Sequence, residues 1–419
     1  MGGSAIVVGA GIAGLVTARV LSEHVDQVTV LERDRLPDAA LPRRGAPQGR
    51  HGHLVPAAGQ RLLEAQFPGL ARRLADAGAV AVPATELMWH HDSTELAWHR
   101  DGTDLAWRHD GTDRPLGPDP APDLLSASGP VPVVLSASQP LLEMVVRHHL
   151  LRLRRNVRVV DATAVDGPVI TDDRVTGVRV DGAAHHADLV VACTGRNTHF
   201  FDQLARHGFP TPEISAVPVD VTYASQLVRR RPGDLDGALA VVTGDPVPGG
   251  RIGLMLPLEG DRWMVTLGSW QGEMPPSDPA AYESFARRLA SPAIADVLAR
   301  AEPLGPVLTH RTPTDQRRYA ERLDRTPAGF LALGDAVHSG NPIHMYGVTA
   351  VAAQARALDQ ALRRHRPAAP ELPRDFYRRA GRAIDVRWRT ATGGSFPAST
   401  DPGGSVSAST DPDTARVGQ

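Results

Sequence analysis

Lysine is absent: every one of the 45 basic side chains in this 419-residue chain is an arginine. That excludes a lysine Schiff base and the lysine of a Walker phosphate loop. Cysteine occurs once, at Cys193, which excludes an internal disulfide, an iron–sulfur cluster and a cysteine-rich zinc site, and suits a reducing cytoplasm. Excess charge of either sign is missing too. The formal net charge is −2 with acids and bases interspersed, so nothing draws the chain to nucleic acid or to an anionic membrane surface. No apolar run reaches the roughly 20 residues that span a bilayer, and a strand begins almost at the first residue, leaving no room for a signal peptide. The expectation is a soluble cytoplasmic protein whose partner is a small molecule, with its oligomeric state open.

What is present is concentrated first in residues 5–34, AIVVGAGIAGLVTARVLSEHVDQVTVLERD. Residues 5–8 suit a buried parallel strand, Gly9-Ala10-Gly11-Ile12-Ala13-Gly14 follows, and a helix-period segment runs to Leu21. Gly9 permits a tight turn, Gly11 lets backbone approach a pyrophosphate, and Gly14 lets the helix pack on the strand. A second apolar run ends at Glu32, where a carboxylate accepts hydrogen bonds from a ribose. Strand, turn, helix and acid in this order predict a dinucleotide site; alone they do not separate FAD from NAD. The length exceeds one core, so two interlocked domains are expected.

Further along, RRGAPQGRHGHLV (43–55) sets arginines and histidines among glycines, a pattern shared by cofactor edges and solvated basic loops. Leu62, Leu63, Phe67, Leu70 and Leu74 are spaced for one buried face of a helix over 57–77. LAWHRDGTD (96–104) repeats almost verbatim as LAWRHDGTD (105–113), and its Asp-Gly pairs predict a hairpin carrying Trp98 and Trp107. His90, His91, His99 and His109 match no metal-ligand spacing and read as solvated; no metal site is expected. Ser138-Gln139-Pro140 opens a helix to about Arg152. Strands are expected at 157–160 and 175–180, and DLVVACTGRNT (188–198) reads as a buried strand turning at Thr194-Gly195-Arg196, with Cys193 packed inside it. From 217 to 270 the period changes to alternation, predicting antiparallel strands that wall a substrate cavity. Met255, Leu256, Trp263 and Trp270 are the expected substrate contacts, and 282–300 reads as one helix.

A second cofactor signal is FLALGDAVHSGNPIHMYGVTAVAAQARALDQAL (330–362). A strand ends at Gly334-Asp335, whose carboxylate is placed for a ribityl or ribose hydroxyl. The apolar helix from Gly347-Val348 directs its N-terminus toward the same place. A helix over 374–388 follows, and the Ser/Pro/Gly/Asp-rich residues from 392 read as a disordered tail.

As an ordered set, GAGIAG with VLERD, RRGAPQGRHGH, SASQPLLE, DLVVACTGR, LPLEGDRWMVTLG and LGDAV…NPI…G resemble the FAD-dependent monooxygenases of the p-hydroxybenzoate hydroxylase fold. The bacterial branch with polyether epoxidases, related to squalene epoxidase, is the most similar, over nearly the whole chain to about residue 396. The resemblance implies an α/β (α+β) fold, a Rossmann-like FAD-binding domain with an inserted antiparallel-sheet substrate domain. Residues 1–83, 136–205 and 325–370 would form the first, 84–135 and 206–324 the second, with a C-terminal helix at 371–391 and the tail at 392–419. It assigns Gly9, Gly11, Gly14, Glu32 and Arg33 to the ADP half of FAD, Gln139 to the phosphates or ribityl chain, and Asp335 to the ribityl–pyrophosphate region. Arg43, Arg50 and His53 match its Arg/His box near the flavin, and His344, Met345 and Tyr346, with Arg43 and His53, are the ring-side candidates for catalysis. NAD(P)H, or a separate flavin reductase, would reduce FAD, and a flavin hydroperoxide would deliver one oxygen atom to an apolar polyketide- or terpenoid-like substrate.

Two departures stand out. The family's N-P-x-x-G-x-G-M box reads Asn341-Pro-Ile-His-Met345-Tyr-Gly347-Val348 here, with Met345 in place of a glycine, and Gly52 replaces an apolar residue. Met345 raises a second reading, a non-redox cyclase that keeps FAD as a scaffold for a [4+2] or related ring closure. A dehydrogenase or reductase on the same fold comes third.

Overall fold

The computed structural model describes residues 2–83, 87–91, 94–101, 104–109, 112–114, 133–237, 239–243 and 248–391; the tail expected from residue 392 lies outside them. A five-stranded parallel sheet has the order Val157–Val160, Gln27–Leu31, Ser4–Val8, Leu189–Ala192, Phe330–Ala332. Its three inner strands are short apolar runs, largely buried on both faces, as parallel strands under helices are. The helices Ile12–Leu21, Gln139–Leu153 and Gly347–Leu362 close over it into one apolar core. Ser138 caps the second of them by accepting from the Leu141 N–H, and Pro140 occupies its first turn.

The inserted unit is a ten-stranded sheet in which His338–Ser339, Leu308–Arg318, Ile214–Arg229, Arg262–Trp270, Arg251–Leu258, Leu239–Thr243 and Leu87–His91 are successive neighbours. The expected hairpin is present beyond them, with Thr94–Asp101 against Asp104–His109 and Trp98 opposite Trp107. Alternation sends the two sides of the sheet into different cores. Met255, Trp263, Val265 and Leu267 lie with Tyr282, Phe285 and Ile294 under two short helices, whereas Leu254, Leu256 and Met264 share a cluster with Leu54 and Met345.

Three expectations about elements need correction. The helix over 57–77 is two, Ala57–Gln66 and Leu70–Asp76, because Pro68 follows the first and Gly69 takes a left-handed φ of +81° between them. The helix over 282–300 is also two, Pro279–Ala286 and Ala293–Leu298, split at Ser291-Pro292. Cys193 lies just past its strand, which ends at Ala192, and is buried with its thiol against the Thr17 hydroxyl. Desolvation pushes that thiol up to about 12, so it is packing rather than a nucleophile.

Candidate active site

The two halves of the expected cofactor site meet at the glycine turn. Gly9 has φ +102°, and a Cβ there would stand 2.5 Å from the Cys193 carbonyl oxygen. A Cβ on Gly14 would stand 1.8 Å from the Gly9 carbonyl oxygen, so no side chain fits between strand and helix. The helix Ile12–Leu21 begins at Gly11 with no side-chain cap and no acid in its first turn, which leaves its leading N–H groups open for an anion. Against that turn sits Gly334, whose added Cβ would meet the Ala13 side chain at 2.7 Å. Its N–H donates to Gln354 Oε1 at 2.9 Å, tying the end of the strand Phe330–Ala332 to the helix Gly347–Leu362.

Carboxylates and one guanidinium surround the glycine turn. Glu32, 4% exposed, accepts from the Ala10 N–H at 2.7 Å and the Asp34 N–H at 3.0 Å. Arg43 reaches Glu143 at 3.0 Å, Asp34 at 3.1 Å and Glu32 at 3.4 Å, and a Cβ on Gly11 would lie 3.5 Å from its guanidinium. Burial works against the Arg43 charge, but Glu143, Glu32 and Asp34 together raise its pKa. Gln139 is buried and donates to Glu143, with its own Oε1 unpartnered. Arg33 and Arg50 are exposed at the rim. Asp335 is exposed, yet the protein packed near it raises its carboxyl to about 6, with Arg196 pulling the other way.

The loop after Asp335 carries the departure seen in the sequence. Met345 adopts φ 52° and ψ 28°, the left-handed conformation that a glycine would take, so the backbone keeps its turn while the side chain is buried beside Leu54, Leu256 and Met264. His344 and Tyr346 stack on one another with centroids 6.3 Å apart. Gly347 is exposed with open space around an added Cβ, and Val348 is buried.

Facing this loop, the sheet presents Leu256 and Trp270, two of the four residues named from the sequence for that wall; Trp270 clusters with Tyr223 and Ile252, and Ile343 packs on them. Met255 and Trp263 do not belong to this face. Both are fully buried under the helices on the far side, and the Trp263 indole N–H donates to Asp234 there. The physical reason is register: adjacent residues of one strand point to opposite faces, so Met255 and Leu256 cannot share a wall. His53 is half-buried with its Nε2 unpartnered, and burial lowers its pKa to about 4. Gly52 is explained by proximity, since a Cβ there would lie 3.0 Å from the Leu256 side chain and 3.2 Å from the Thr266 hydroxyl.

A match to the FAD binding domain family extends over residues 4–365. This chain belongs to that family. A relative from Mycobacterium tuberculosis, protein Rv3254, is 32% identical over 380 residues, which is 86% of this chain and 73% of the relative. Among solved structures, PqsL of Pseudomonas aeruginosa, described as a probable FAD-dependent monooxygenase, is 18% identical with a TM-score of 0.66, over 94% of this chain and 95% of its own. The flavin-dependent brominase Bmp2 is 14% identical with a TM-score of 0.63, over 93% of this chain and 86% of its own. The shared fold is the one that the resemblance implied, that of the FAD-dependent monooxygenases related to p-hydroxybenzoate hydroxylase.

FAD fits the residues of this flavoprotein. The glycine cradle admits backbone where a Cβ cannot go, the helix N-terminus is uncapped, and Asp335 presents an exposed carboxyl directly after Gly334, which touches the same turn. What the sequence reading missed is a polar group on the site-facing side of the sheet: His51 Nδ1 lies 2.9 Å from Ser225 Oγ, which lies 2.7 Å from Thr266 Oγ1. The available signal was the alternation of Val221, Tyr223 and Ser225, three residues that must share a face.

Proposed function

We propose that this flavoprotein is a monooxygenase that inserts one oxygen atom, by epoxidation or hydroxylation, into an uncharged and largely apolar substrate of polyketide or terpenoid type. The observation that carries the reading is the character of the wall opposite the loop 341–346. Leu254, Leu256, Met264, Ile252 and Trp270 line it, and burial holds the nearby His51 and His53 neutral, each with a pKa of about 4. Bound FAD would supply the electron store and the activation of oxygen, with NAD(P)H or a separate reductase as the source of electrons. The chain's own part is to hold the cofactor through the glycine cradle, Glu32, Arg43 and Asp335, to exclude water with the apolar wall, and to fix the substrate bond beside His344-Met345-Tyr346. A cytoplasmic enzyme acting on a small molecule is part of the same reading.

Met345 supports a second reading, a cyclase that keeps the flavoprotein as scaffold, because a thioether buried on the substrate side adds shape without redox chemistry. One experiment separates the two. Purified protein is expected to be yellow, and NADPH with substrate in air should bleach and then restore the flavin band while oxygen is consumed. Product formed equally well without oxygen on oxidised flavin sinks the oxygenase reading, and a colourless protein that takes up no FAD sinks both.

A further inference from the structure

Tyr223, Ser225 and Val221 pair across the sheet with Gly268, Thr266 and Trp270, and Tyr223 pairs on its other side with His310. Their side chains therefore share the face that looks toward the loop 341–346. His51 is laid over this face from the segment before the strand Leu54–Val55, edge-on to Tyr223 at 4.8 Å and 5.5 Å from His310. Tyr223 and His310 are 5.2 Å apart, so three rings form one patch.

Counting protons orients the hydroxyls. The Gly52 N–H can only donate, and it points at Thr266 Oγ1 from 3.4 Å. Among the described residues the Thr266 hydroxyl hydrogen has one acceptor, Ser225 Oγ, and the Ser225 hydrogen then has one acceptor, His51 Nδ1. The reverse direction strands the Thr266 hydrogen in a buried site. The imidazole hydrogen therefore sits on Nε2, which makes no hydrogen bond among the described residues. Desolvation, with smaller contributions from His310 and Arg50, lowers the His51 pKa to about 4, so the ring is neutral. Two residues along the same face Trp270 is 9% exposed, and its indole N–H, itself sealed from solvent, has no partner among the described residues. Burial raises the Tyr223 hydroxyl to about 12, with Thr312 pulling the other way, so that group stays protonated. Two neutral N–H donors on one face thus lack acceptors.

We propose that this face receives the carbonyl oxygen of an uncharged, ring-bearing substrate, with His51 Nε2–H and Trp270 Nε1–H as donors and Ser225 and Thr266 as the positioning residues that hold His51 in that tautomer. The proposal rests on the oxygenase reading of the same site and narrows its substrate. Neutral donors match the dipole of a carbonyl, and the ring patch offers edges and faces to a planar molecule. A carboxylate would call for a cation, and the one acting on His51, Arg50, is exposed at the rim.

Equilibrium binding to the FAD-loaded protein without reductant tests this, using 2-acetylnaphthalene, 2-isopropenylnaphthalene of the same shape without oxygen, and 2-naphthoate, read by calorimetry. The ketone is expected to bind about tenfold more tightly than the hydrocarbon. Trp270→Phe and Ser225→Ala should each draw that ratio toward one, and Ser225→Thr should restore it. In the imidazole nitrogen spectrum of the unaltered protein, with His51 assigned through His51→Gln, the hydrogen should be on Nε2. Naphthoate binding as well as the ketone, no ketone binding, a ratio unmoved by every variant, or a hydrogen on Nδ1 overturns the proposal. Ketone binding without oxygen uptake under either NAD(P)H or an added flavin reductase would instead sink the oxygenase reading and leave the subsite standing.

Discussion

Asp315 is 1% exposed on the strand Leu308–Arg318, and its Oδ1 has no partner. Desolvation pushes its carboxyl up to about 6, although the Arg196 charge lowers it. Because the folded value lies above the unfolded one of 3.8, the protonated carboxyl favours the fold below about pH 4 and that contribution is lost as pH rises through 6. Asp315→Asn keeps the neutral shape at every pH. It should match the parent protein near pH 4 and exceed it by about 2–3 kcal/mol at pH 8, read by chemical denaturation at both values; an equal difference at the two would refute the assignment. Single residues were also where the sequence was least legible. Met255 and Leu256 are equally apolar neighbours, and only the pairing of their strand with Arg262–Trp270 decides which one faces the loop. Nor does anything in the string HGH say that His51 lies over Ser225, 174 residues away.

At the scale of elements the local signals were strong wherever one physical cause acted alone. The strand, glycine turn and helix of residues 4–21 and the capped helix from Gln139 needed only short-range sterics and capping. The two expected helices that came apart did so at Pro68-Gly69 and at Ser291-Pro292, where breakers override an apolar period that continues across them. The loop 341–346 sets strain against packing. A left-handed methionine costs on the order of 1 kcal/mol in backbone, while its buried side chain contributes roughly 2–5 kcal/mol of contacts. Packing wins, so Met345→Gly should lower stability by about 2 kcal/mol in thermal denaturation even though it relieves the turn. If the side chain also limits access to the ring, the same variant should reoxidise faster in air, followed by stopped-flow absorbance; an unchanged rate would end that role.

Across the whole molecule, a buried arginine fastens the last helix to the ten-stranded sheet. Arg317 is almost fully buried, donating to Asp385 at 2.6 Å, to Glu321 at 2.5 Å and to the Gly381 carbonyl, with its guanidinium 4.4 Å from the Tyr319 ring centroid. Asp385 is 41% exposed and Glu321 19%, so solvent screens much of the charge left behind when the arginine goes. Arg317→Met should cost about 1–3 kcal/mol and raise amide exchange in the helix Leu372–Ala391 while flavin content is kept. Loss of flavin instead would mean that this helix supports the cofactor directly.

The order of the parallel sheet sets a timetable for making the enzyme. Its middle strand is Ser4–Val8 and its outer one Phe330–Ala332, so a ribosome must produce most of the chain before the two walls of the FAD cleft can touch. At 5–20 residues per second that is roughly 15–70 s of synthesis, during which the glycine turn is made but has nothing to close against. Loading with flavin therefore waits until Gly334 has been made, and truncations that end before it should be colourless however well their first strands fold.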